Sequence, residues 1–476
     1  MGCSTEPTLV GRRFRARREA ARRSPLRLST SLPRPAIVKY SVITFGCRVN
    51  QSDSLGFEEQ LLASGAEVSS PDAADLVVVN TCSVTASADQ GARQTIRRIA
   101  RLNPHAKVIV TGCYATREAA EVAGLPNVAQ VVCNDDKPRL LSVLRSSSWN
   151  AGEQTRELGS AERFGEGEGS CGAPLEPGIA GRTAFTLRVQ TGCSEPCSYC
   201  IIPETRGAPR SLPPDHVLAE VRRVVRAGFQ EVALAGVHLG SYGRELRPAS
   251  SLTELLLALR ELAAIEWTTA GRRVLFRISS LEPMDCTPEL IDLIRTSDCF
   301  APHFHLPLQH ASGRILRAMR RPYDLAQYAE VVNRIRAGNP LASLGSDIIV
   351  GFPGETENDA DELASYLEGS PLTHLHVFPY SDRPGTVASR MDDRPSGVAV
   401  KERGARVRRI GAALSHHFVE RQLGTTHRAL TLEDGTLAVT GNYLKVRIPP
   451  GRPRNCWVEL RVTQTDPLIL GDVLSD

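Results

Sequence analysis

The chain has 476 residues, 41% of them hydrophobic and 23% charged, with a net charge of +4 at pH 7. This length accommodates two or three domains with a sizeable buried core, and so small a net charge indicates no particular partner. No stretch approaches 18 uninterrupted apolar residues, and residues 1–40 contain no apolar signal segment, which disfavours both a membrane span and a secreted, disulfide-linked protein. We therefore expect a cytoplasmic protein whose clustered cysteines bind metal rather than form disulfides.

The first 37 residues are rich in arginine, and Glu6 and Glu19 are their only acidic residues. Such a leader is typical of a disordered extension or of a translation start placed too early. A nucleic-acid arm and an organelle transit peptide are the functional alternatives. Because the first clear strand pattern begins only at Val38, we predict that residues 1–37 are a basic, disordered leader.

Three similar units follow, and each is a β-branched strand that ends at a cysteine. Near-continuous apolar strands that alternate with helical patterns indicate a parallel sheet covered on both faces. Ligands bind outside the carboxyl ends of the strands in such a sheet, and the three cysteines fall there. We predict an α/β domain over residues 38–145, with strands at residues 40–47, 75–82 and 107–113 and helices at residues 52–64 and 86–102.

Residues 146–181 are rich in Ser, Gly and Glu without periodicity, which predicts an inter-domain linker that contains Cys171. Over residues 182–415, six strand patterns alternate with six helical patterns. This alternation predicts a partial (β/α)6 version of the TIM barrel, with reactive groups on the loops after the strands. The strands are residues 184–189, 231–235, 274–280, 303–308, 344–350 and 374–380, and the helices are residues 213–227, 252–263, 288–296, 313–319, 324–337 and 355–367.

The chain changes character after a helix rich in Lys and Arg at residues 401–424. Short alternating strands, with turns at Glu433-Asp434-Gly435 and Pro449-Pro450-Gly451, predict a small antiparallel β-barrel within residues 416–476. This barrel offers a candidate surface for RNA, because basic side chains and a stackable aromatic ring lie close together in the sequence. A solvated charged face is the alternative. The candidate residues are Tyr443, Lys445, Arg447, Arg452 and Arg454.

The first barrel strand is followed directly by Cys193-x3-Cys197-x2-Cys200. Three thiolates on so short a loop can hold three irons of a [4Fe–4S] cluster and leave the fourth iron open to a small molecule. Structural zinc is the alternative, but a closed zinc site needs four ligands, and no other His or Cys lies within ten residues of the loop. The spacing favours the cluster.

The strand-end cysteines Cys47, Cys82 and Cys113 form a second set. Any one of them could be a buried structural cysteine, but three at equivalent positions in consecutive units predict a second cluster with an open iron. Cys133 is the competing ligand. We exclude it because no strand-Gly/Thr-Cys pattern precedes it.

The Cys193 loop resembles that of the radical SAM superfamily, in which this spacing holds a [4Fe–4S] cluster chelated by S-adenosylmethionine. The resemblance implies that reduction of this cofactor yields a radical that abstracts hydrogen from unactivated C–H bonds. It also implies that Tyr199 packs near the adenine. The same resemblance places Gly236, Ser279, Glu282 and Gly351 along the cofactor pocket.

Both cysteine sets together resemble one family of that superfamily, the methylthiotransferases, over residues 38–476. The resemblance implies that the N-terminal cluster carries sulfur on its open iron, that two S-adenosylmethionine molecules are used, and that the C-terminal barrel is a TRAM module. The N-terminal matches are Gly46-Cys47-Arg48-Val49-Asn50-Gln51, Asn80-Thr81-Cys82 and Gly112-Cys113-Tyr114. Further matches are Arg206-Gly207, His305-Leu-Pro-Leu-Gln309, Met319-Arg320-Arg321-Pro-Tyr323 and Asp347-Ile-Ile-Val-Gly-Phe-Pro-Gly-Glu-Thr356.

Two branches of this family modify adenosine 37 of tRNA, and a third modifies an aspartate of a ribosomal protein. The segments around Phe45, Ile202 and Phe378, and Val439–Lys445, are most similar to the branch that acts on N6-threonylcarbamoyladenosine. Two departures from that branch are Thr191 before the cysteine loop and His238 in place of the commoner Asn. The resemblance implies a tRNA substrate, a reducing electron donor such as flavodoxin or ferredoxin, a sulfur donor and no membrane.

The predicted function is therefore transfer of a methylthio group to C2 of N6-threonylcarbamoyladenosine-37 of tRNA. A methylthiotransferase acting on N6-isopentenyladenosine-37 or on a ribosomal-protein aspartate is the alternative within the family. A non-catalytic iron–sulfur protein that binds RNA is a more remote alternative.

Overall fold

A computed structural model describes residues 38–140 and 183–475. The predicted leader, residues 1–37, and the predicted linker, residues 146–181, lie outside the described residues. Within the described ranges, no helix combines the length and the apolar character needed to cross a membrane.

The first domain is built on a five-stranded parallel sheet in the order β2-β1-β3-β4-β5. Its strands are β1 (Lys39–Thr44), β2 (Glu67–Val68), β3 (Leu76–Thr81), β4 (Lys107–Gly112) and β5 (Val128–Val132). Its helices are α1 (Arg48–Ala63), α2 (Ala86–Leu102), α3 (Cys113–Arg117) and α4 (Ala119–Ala123), and a 3-10 helix covers Asn134–Arg139. The predicted parallel α/β sheet is confirmed, with β2 and β5 added at its edges.

Both faces of this sheet are covered, as the apolar character of β3 predicts. Val77 and Val79 pack in one apolar cluster with Ile96 of α2. Leu76 and Val78 pack in the opposite cluster, with Phe57 and Leu61 of α1. Alternate residues of a strand point to opposite faces, so a strand covered on both sides has to be apolar at every position.

The second domain contains six parallel strands that follow one another in chain order around an open arc. They form two three-stranded sheets, joined by a parallel bridge between Phe276 and Phe300. The strands are β6 (Phe185–Arg188), β9 (Glu231–Ala235), β10 (Leu275–Ile278), β11 (His303–His305), β12 (Ser343–Val350) and β13 (His374–Pro379), with a small antiparallel pair of β7 (Gln190–Thr191) and β8 (Arg210–Ser211). The main helices are α5 (Ile202–Arg206), α6 (Pro214–Arg226), α7 (Leu252–Ala270), α8 (Pro288–Thr296), α9 (Gly313–Ala318), α10 (Leu325–Gly338) and α11 (Glu357–Glu368). The predicted partial (β/α)6 barrel is confirmed.

The two faces of the arc differ in polarity. One face, with Val232, Phe276 and Leu344, joins the large apolar core beneath the helices. The alternating residues on the inner face include polar side chains, among them Arg277 and Asp347. Because an interior lined with polar groups stabilises the fold less than an apolar one, this face is the natural wall of a binding site.

The third domain is a closed five-stranded barrel in the order β14-β15-β16-β18-β17. Its strands are β14 (Thr426–Leu432), β15 (Leu437–Thr440), β16 (Lys445–Arg447), β17 (Trp457–Gln464) and β18 (Leu470–Ser475), and it follows α12 (Gly397–Glu420). Val407 and Ile410 of α12 belong to the core of the second domain, whereas Phe418 and Val419 pack against the core of the small barrel. One unbroken helix therefore contributes to two cores, and it runs through the expected domain boundary between residues 415 and 416.

We predict that Gly112→Ala destabilises the protein much more than Gly65→Ala does. Both glycines have positive φ, at +97° and +82°, so alanine at either position carries backbone strain of about 1 kcal/mol. Only at Gly112 would the added Cβ also lie 2.1 Å from the carbonyl oxygen of Thr81 in β3, whereas nothing lies within 4 Å at Gly65. The total cost at Gly112 should be about 3 kcal/mol or more.

Thermal melting followed by circular dichroism tests this prediction, with Gly65→Ala as the matched control. Equal losses in melting temperature for the two variants would contradict the close approach of β4 to β3.

Candidate active site

The structure brings Cys47, Cys82 and Cys113 to one edge of the first sheet. They follow β1, β3 and β4, which are neighbours in the sheet. Cys47 caps α1, and Cys113 is the first residue of α3. Three thiols thus come together at the carboxyl ends of adjacent parallel strands, as their positions in the sequence predict.

Glycine before a cysteine lets two of these loops approach each other. A Cβ on Gly46, whose φ is +88°, would lie 2.5 Å from the Cβ and 2.6 Å from the Sγ of Cys82. Any side chain at position 46 would therefore displace the Cys82 thiol. The Gly-Cys pairing at this position is a geometric requirement of the cysteine cluster.

Asn50 holds the loops that carry these cysteines. Its side-chain amide donates to the carbonyl oxygens of Phe45 and Thr81, at 2.9 Å each. Asn80 donates in turn to the carbonyl oxygen of Asn50, at 2.9 Å. Both asparagines are fully buried, so these bonds are protected from water and fix the end of β1 against the end of β3.

A buried ionic network centred on Asp53 joins the first domain to the second. The carboxylate accepts from Lys137 Nζ at 2.6 Å and from Arg188 Nη1 at 2.5 Å, and Arg206 Nη2 lies 3.8 Å away. Arg206 also donates to the Asn50 side chain at 2.5 Å. Lys137 and Asp53 belong to the first domain, and both arginines belong to the second, so the network spans the interface.

The same cations set the charge around Cys113. Burial alone would raise the pKa of the Cys113 thiol, but the charges of Arg206 and Lys137 and a hydrogen bond from Asn134 lower it below its ordinary value. Asn134 Nδ2 lies 3.6 Å from the Cys113 sulfur. A thiolate, which is the metal-binding form, is therefore favoured at Cys113.

Cys133 also lies at the carboxyl end of a strand of this sheet, because it directly follows β5. Its surroundings differ from those of Cys113. Burial, together with the carboxylates of Asp136 and Asp135, raises the pKa of the Cys133 thiol. Neighbouring negative charge opposes the thiolate at Cys133, but burial also raises the pKa of Cys82, to about 12, so the assignment of the ligand set to Cys47, Cys82 and Cys113 stays a prediction.

Cys193, Cys197 and Cys200 lie on the loop between β7 and α5, at the carboxyl end of the barrel. The loop is anchored by Gly192, whose φ is +76°, and a Cβ there would lie 2.0 Å from the carbonyl oxygen of Ala208. Burial raises the pKa of Cys197, and it raises the pKa of Cys200 to about 12. These thiols therefore stay protonated unless a metal ion displaces the protons.

Two cations from other loops contact this cysteine loop. Arg321 Nη1 lies 3.1 Å from the sulfur of Cys197, and Nη2 of the same side chain pairs with Glu282. His238 Nδ1 lies 3.9 Å from the sulfur of Cys193, while Nε2 is 2.8 Å from Asp285 Oδ2. Burial alone would lower the pKa of His238, but the bond to Asp285 and the neighbouring Cys193 raise it to about 10.

Neither Arg321 nor His238 was singled out by sequence reasoning as a site residue. Arg321 stands in a motif that carried the family resemblance, and His238 stands two residues after Gly236, in a segment that the resemblance places along the cofactor pocket. Proximity to the cysteine loop is the missing information, since both residues come from distant segments of the chain. Asp53 and Lys137 were missed for the same reason.

The predicted cofactor-pocket residues have different surroundings. Tyr199 packs with Ile315, Phe352 and other apolar residues beneath the cysteine loop. The Ser279 hydroxyl is buried, and no hydrogen-bond partner for it lies among the described residues. Glu282 is paired with Arg321. An orphaned hydroxyl on the inner face of the barrel fits a polar ligand there.

Protein packing already explains both predicted pocket glycines. A Cβ on Gly236 would lie 2.6 Å from a methyl carbon of Leu239, and one on Gly351 would lie 2.5 Å from Val400. Their assignment to the cofactor pocket therefore stays a prediction based on the family resemblance.

The predicted RNA-binding residues have different surroundings, and their role in RNA binding stays a prediction. Lys445 and Arg447 lie on the exposed face of β16, and Arg454 donates through Nε to the carbonyl oxygen of Glu433. Arg452 is partly buried. Tyr443 instead lies against the second domain, with its ring 5.0 Å from that of His303 and 4.4 Å from the guanidinium of Arg277.

The donor sets fit iron–sulfur clusters. Each brings together three cysteine thiols, the number that can ligate a [4Fe–4S] cluster and leave one iron open, and each has cations next to its sulfurs. Cations beside the sulfurs offset the negative charge of thiolate-bound clusters. The orphaned Ser279 hydroxyl and the polar inner face fit a small polar cofactor beside the second set.

Two family models match the chain. One, described as the Radical SAM superfamily, matches residues 187–367, and the other, described as uncharacterized protein family UPF0004, matches residues 39–134. The first covers the barrel with its cysteine loop. The second covers the sheet with Cys47, Cys82 and Cys113.

Several relatives align over most of the chain. A threonylcarbamoyladenosine tRNA methylthiotransferase, MtaB, of Aquifex aeolicus is 37% identical over 86% of this chain and 96% of that protein. A ribosomal protein uS12 methylthiotransferase, RimO, of Salinispora tropica is 33% identical over 85% of each chain. A tRNA-2-methylthio-N(6)-dimethylallyladenosine synthase of Thermobifida fusca is 33% identical over 83% of this chain and 78% of that one.

Among solved structures, the radical S-adenosylmethionine methyltransferase TsrM of Kitasatospora setae has a similar fold. The TM-score is 0.51 at 14% identity, over 74% of this chain and 75% of that chain. This likeness concerns the fold alone.

We predict that Asp53→Asn destabilises the protein by about 3–5 kcal/mol, because it leaves buried cations without their carboxylate. Asp135→Asn is the matched control, since Asp135 also pairs across the domain interface, with Arg210 at 2.8 Å. That pair is exposed, with 73% and 54% of the two side chains accessible, and its loss should cost less than about 1 kcal/mol. Urea denaturation measures both changes.

The effect of Asp53→Asn should depend on pH. Burial would raise the pKa of Asp53, but Arg188, Lys137 and Arg206 outweigh it and hold this pKa well below its usual range. A carboxylate whose pKa is depressed in the folded state contributes its full stabilisation above the pKa that it has in the unfolded state, which is about 4. This contribution is lost as the pH falls below that value toward the pKa of the folded state. The difference between wild type and variant should shrink below about pH 4. A difference that stays constant would contradict the ionic role of Asp53.

Proposed function

The chain belongs to the radical SAM methylthiotransferases, and we propose that it transfers a methylthio group to C2 of N6-threonylcarbamoyladenosine at position 37 of tRNA. The observation that carries this proposal is the pair of three-cysteine sites, one in each of two domains that the Asp53 network holds together. The similarity to the MtaB protein of Aquifex aeolicus supports the choice of nucleoside.

The proposed cofactors are two [4Fe–4S] clusters and S-adenosylmethionine. With these bound, the Cys193, Cys197 and Cys200 site would supply a hydrogen-abstracting radical, and the Cys47, Cys82 and Cys113 site would supply the sulfur. Insertion of SCH3 at an aromatic C–H requires both. The proposed partners are tRNA, a reducing electron donor such as flavodoxin or ferredoxin, and a sulfur donor.

The chain's own residues orient and neutralise these sites. Arg321 and His238 place positive charge beside Cys197 and Cys193. Arg206 does the same beside Cys113, and it also belongs to the Asp53 network. Arg206 therefore has two roles. It helps to fix the position of the first cysteine set relative to the barrel, and it lowers the pKa of the Cys113 thiol.

A second candidate within the family is the modification of N6-isopentenyladenosine-37, which similarity to the Thermobifida fusca synthase supports. Similarity to the RimO protein of Salinispora tropica supports a ribosomal-protein aspartate in the same way. Mass spectrometry of tRNA nucleosides from a deletion strain separates the three. Loss of the methylthio group from N6-threonylcarbamoyladenosine alone is the expected result, and unchanged tRNA would overturn the proposal.

The two cysteine sets should be separable by substitution. Anaerobically reconstituted protein should hold about eight irons, and alanine at Cys193, Cys197 and Cys200 should remove about four of them together with all S-adenosylmethionine cleavage. Alanine at Cys47, Cys82 and Cys113 should also remove about four irons, but it should spare cleavage and abolish sulfur insertion. Iron analysis and product chromatography measure these outcomes.

Cys133→Ala and Cys456→Ala are the matched controls, because both thiols lie outside the two ligand sets. Each should leave the iron content unchanged. Loss of iron from Cys133→Ala would contradict the assignment of the first set. An iron-loaded protein that cleaves no S-adenosylmethionine would instead support the non-catalytic iron–sulfur alternative.

A further inference from the structure

The inner face of the barrel carries four histidines on two strands, which we name the histidine wall: His303, His305, His374 and His376. They alternate along β11 and β13, so all four point to the same side of the sheet. Ring centroids of His303 and His374 are 5.8 Å apart, and those of His305 and His376 are 5.5 Å apart. The wall is a continuous surface of imidazole rings.

The intervening strand, β12, makes room for the wall. A Cβ on Gly345 would lie 2.1 Å from Nε2 of His374, so only glycine lets that ring lie across the strand. Asp347 Oδ1 lies 3.1 Å from His305 Nε2 and 3.2 Å from His376 Nδ1. Both imidazoles can donate an N–H to this carboxylate, so hydrogen bonds account for the arrangement of Asp347, His305 and His376.

Tyr443 of the small barrel extends the histidine wall at one end. Its ring stacks on His303, while Arg277 packs against it. Its backbone adopts a φ of +73°, a strained value for a residue other than glycine, and 44% of the residue stays exposed. A strained aromatic residue that is held in place yet remains accessible is typical of a binding surface.

Arg48 of the first domain completes this surface. Its Nη2 donates to the hydroxyl of Tyr443 at 3.2 Å. Arg48 directly follows Cys47 in the sequence, so the end of the wall adjoins the first cysteine set. Residues from all three domains therefore meet at Tyr443.

Positive charge on this surface lies at Arg48 and at His376, because the hydrogen bond to Asp347 raises the pKa of His376, and Asp347 offsets that charge at 3.2 Å. Arg277 is neutralised by Glu231 at 2.7 Å. Burial lowers the pKa of His374 to about 4 and that of His303 well below its ordinary value, so both rings are neutral at pH 7. Among the residues that the structure describes, no carboxylate lies within salt-bridge distance of Arg48. The surface thus combines the neutral rings of His303 and His374 with a guanidinium, Arg48, beside the cysteine set.

We propose that Arg48, together with Tyr443 and the histidine wall, binds the N6 substituent of the target adenosine through its carboxylate. This inference rests on the proposed function and adds the source of its selectivity. The threonylcarbamoyl group ends in a carboxylate, which matches a guanidinium, and its urea and hydroxyl groups match neutral imidazoles. C2 and C6 flank the same ring nitrogen, so a base held beside Arg48 by its N6 substituent presents C2 toward the neighbouring cysteine set.

Equilibrium binding separates this role from catalysis. The probes are two fluorescent anticodon stem-loop RNAs that differ only at position 37, one with N6-threonylcarbamoyladenosine and one with adenosine. Reconstituted wild-type protein should bind the first about tenfold more tightly, the loss expected when one charge-assisted contact is removed. Arg48→Gln should abolish this preference without weakening binding to the adenosine loop, and Arg48→Lys should retain part of it.

Arg97→Gln is the matched control, because Arg97 is an exposed arginine of the same domain away from the wall. It removes the same charge and should leave the preference intact. Iron content is measured for every variant. If Arg48→Gln loses iron, Tyr443→Leu, which leaves the neighbour of Cys47 unchanged, should still reduce the preference.

The inference is overturned if wild type binds both loops equally, or if Arg48→Gln keeps its irons and the full preference. It also fails if Arg48→Gln loses iron and Tyr443→Leu keeps the full preference. Failure of the proposed function would give a different result. The protein would then prefer the threonylcarbamoyl loop but would not methylthiolate it.

Discussion

The architecture depends on one buried carboxylate. Asp53 lies on the first helix of the first domain, yet two of its three cationic partners belong to the barrel. A buried charge is tolerated only when it is paired, so the carboxylate and its partners require each other. Because Arg206 reaches both Asp53 and the surroundings of Cys113, the requirement that joins the domains also acts on the cysteine set.

The two cysteine sets have similar electrostatic surroundings, although they lie in domains of different fold. Each lies at the carboxyl ends of parallel strands, and each has arginine within reach of a sulfur. In both sets burial opposes the thiolate, and positive charge supplied from another segment favours it. The surroundings of Cys133 show the contrast, since there two aspartates face the thiol.

Much of the fold could be predicted from local patterns. Helix α2 was predicted with the bounds that the structure has, because Thr85 provides a side-chain cap and the amphipathic spacing is clear. Helix α1 begins four residues earlier than predicted, at Arg48, because its N-cap is Cys47, which makes no side-chain capping bond. Strand β11 ends at His305 rather than at residue 308, because Pro307 has no backbone N–H to donate to a sheet.

The ligand cysteines could be found from sequence because their spacing is local and repeated. Their charged neighbours could not be found in this way. Asp53, for example, pairs with Lys137 and Arg188, which lie 84 and 135 positions further along the chain. The histidine wall left a local signal in two His-x-His pairs on strand patterns. What it lacked was the register that sets those pairs beside each other and beside Tyr443.

Helix α12 has a consequence for how the molecule can come apart. Its 24 residues span about 36 Å at 1.5 Å per residue, and apolar side chains along that length are shared between two cores. Separating the two cores would therefore require either breaking this continuous helix or exposing the apolar side chains that it contributes to one of them. The small barrel that carries Tyr443 is thus connected to the second domain by a helix packed into both cores rather than by an extended linker.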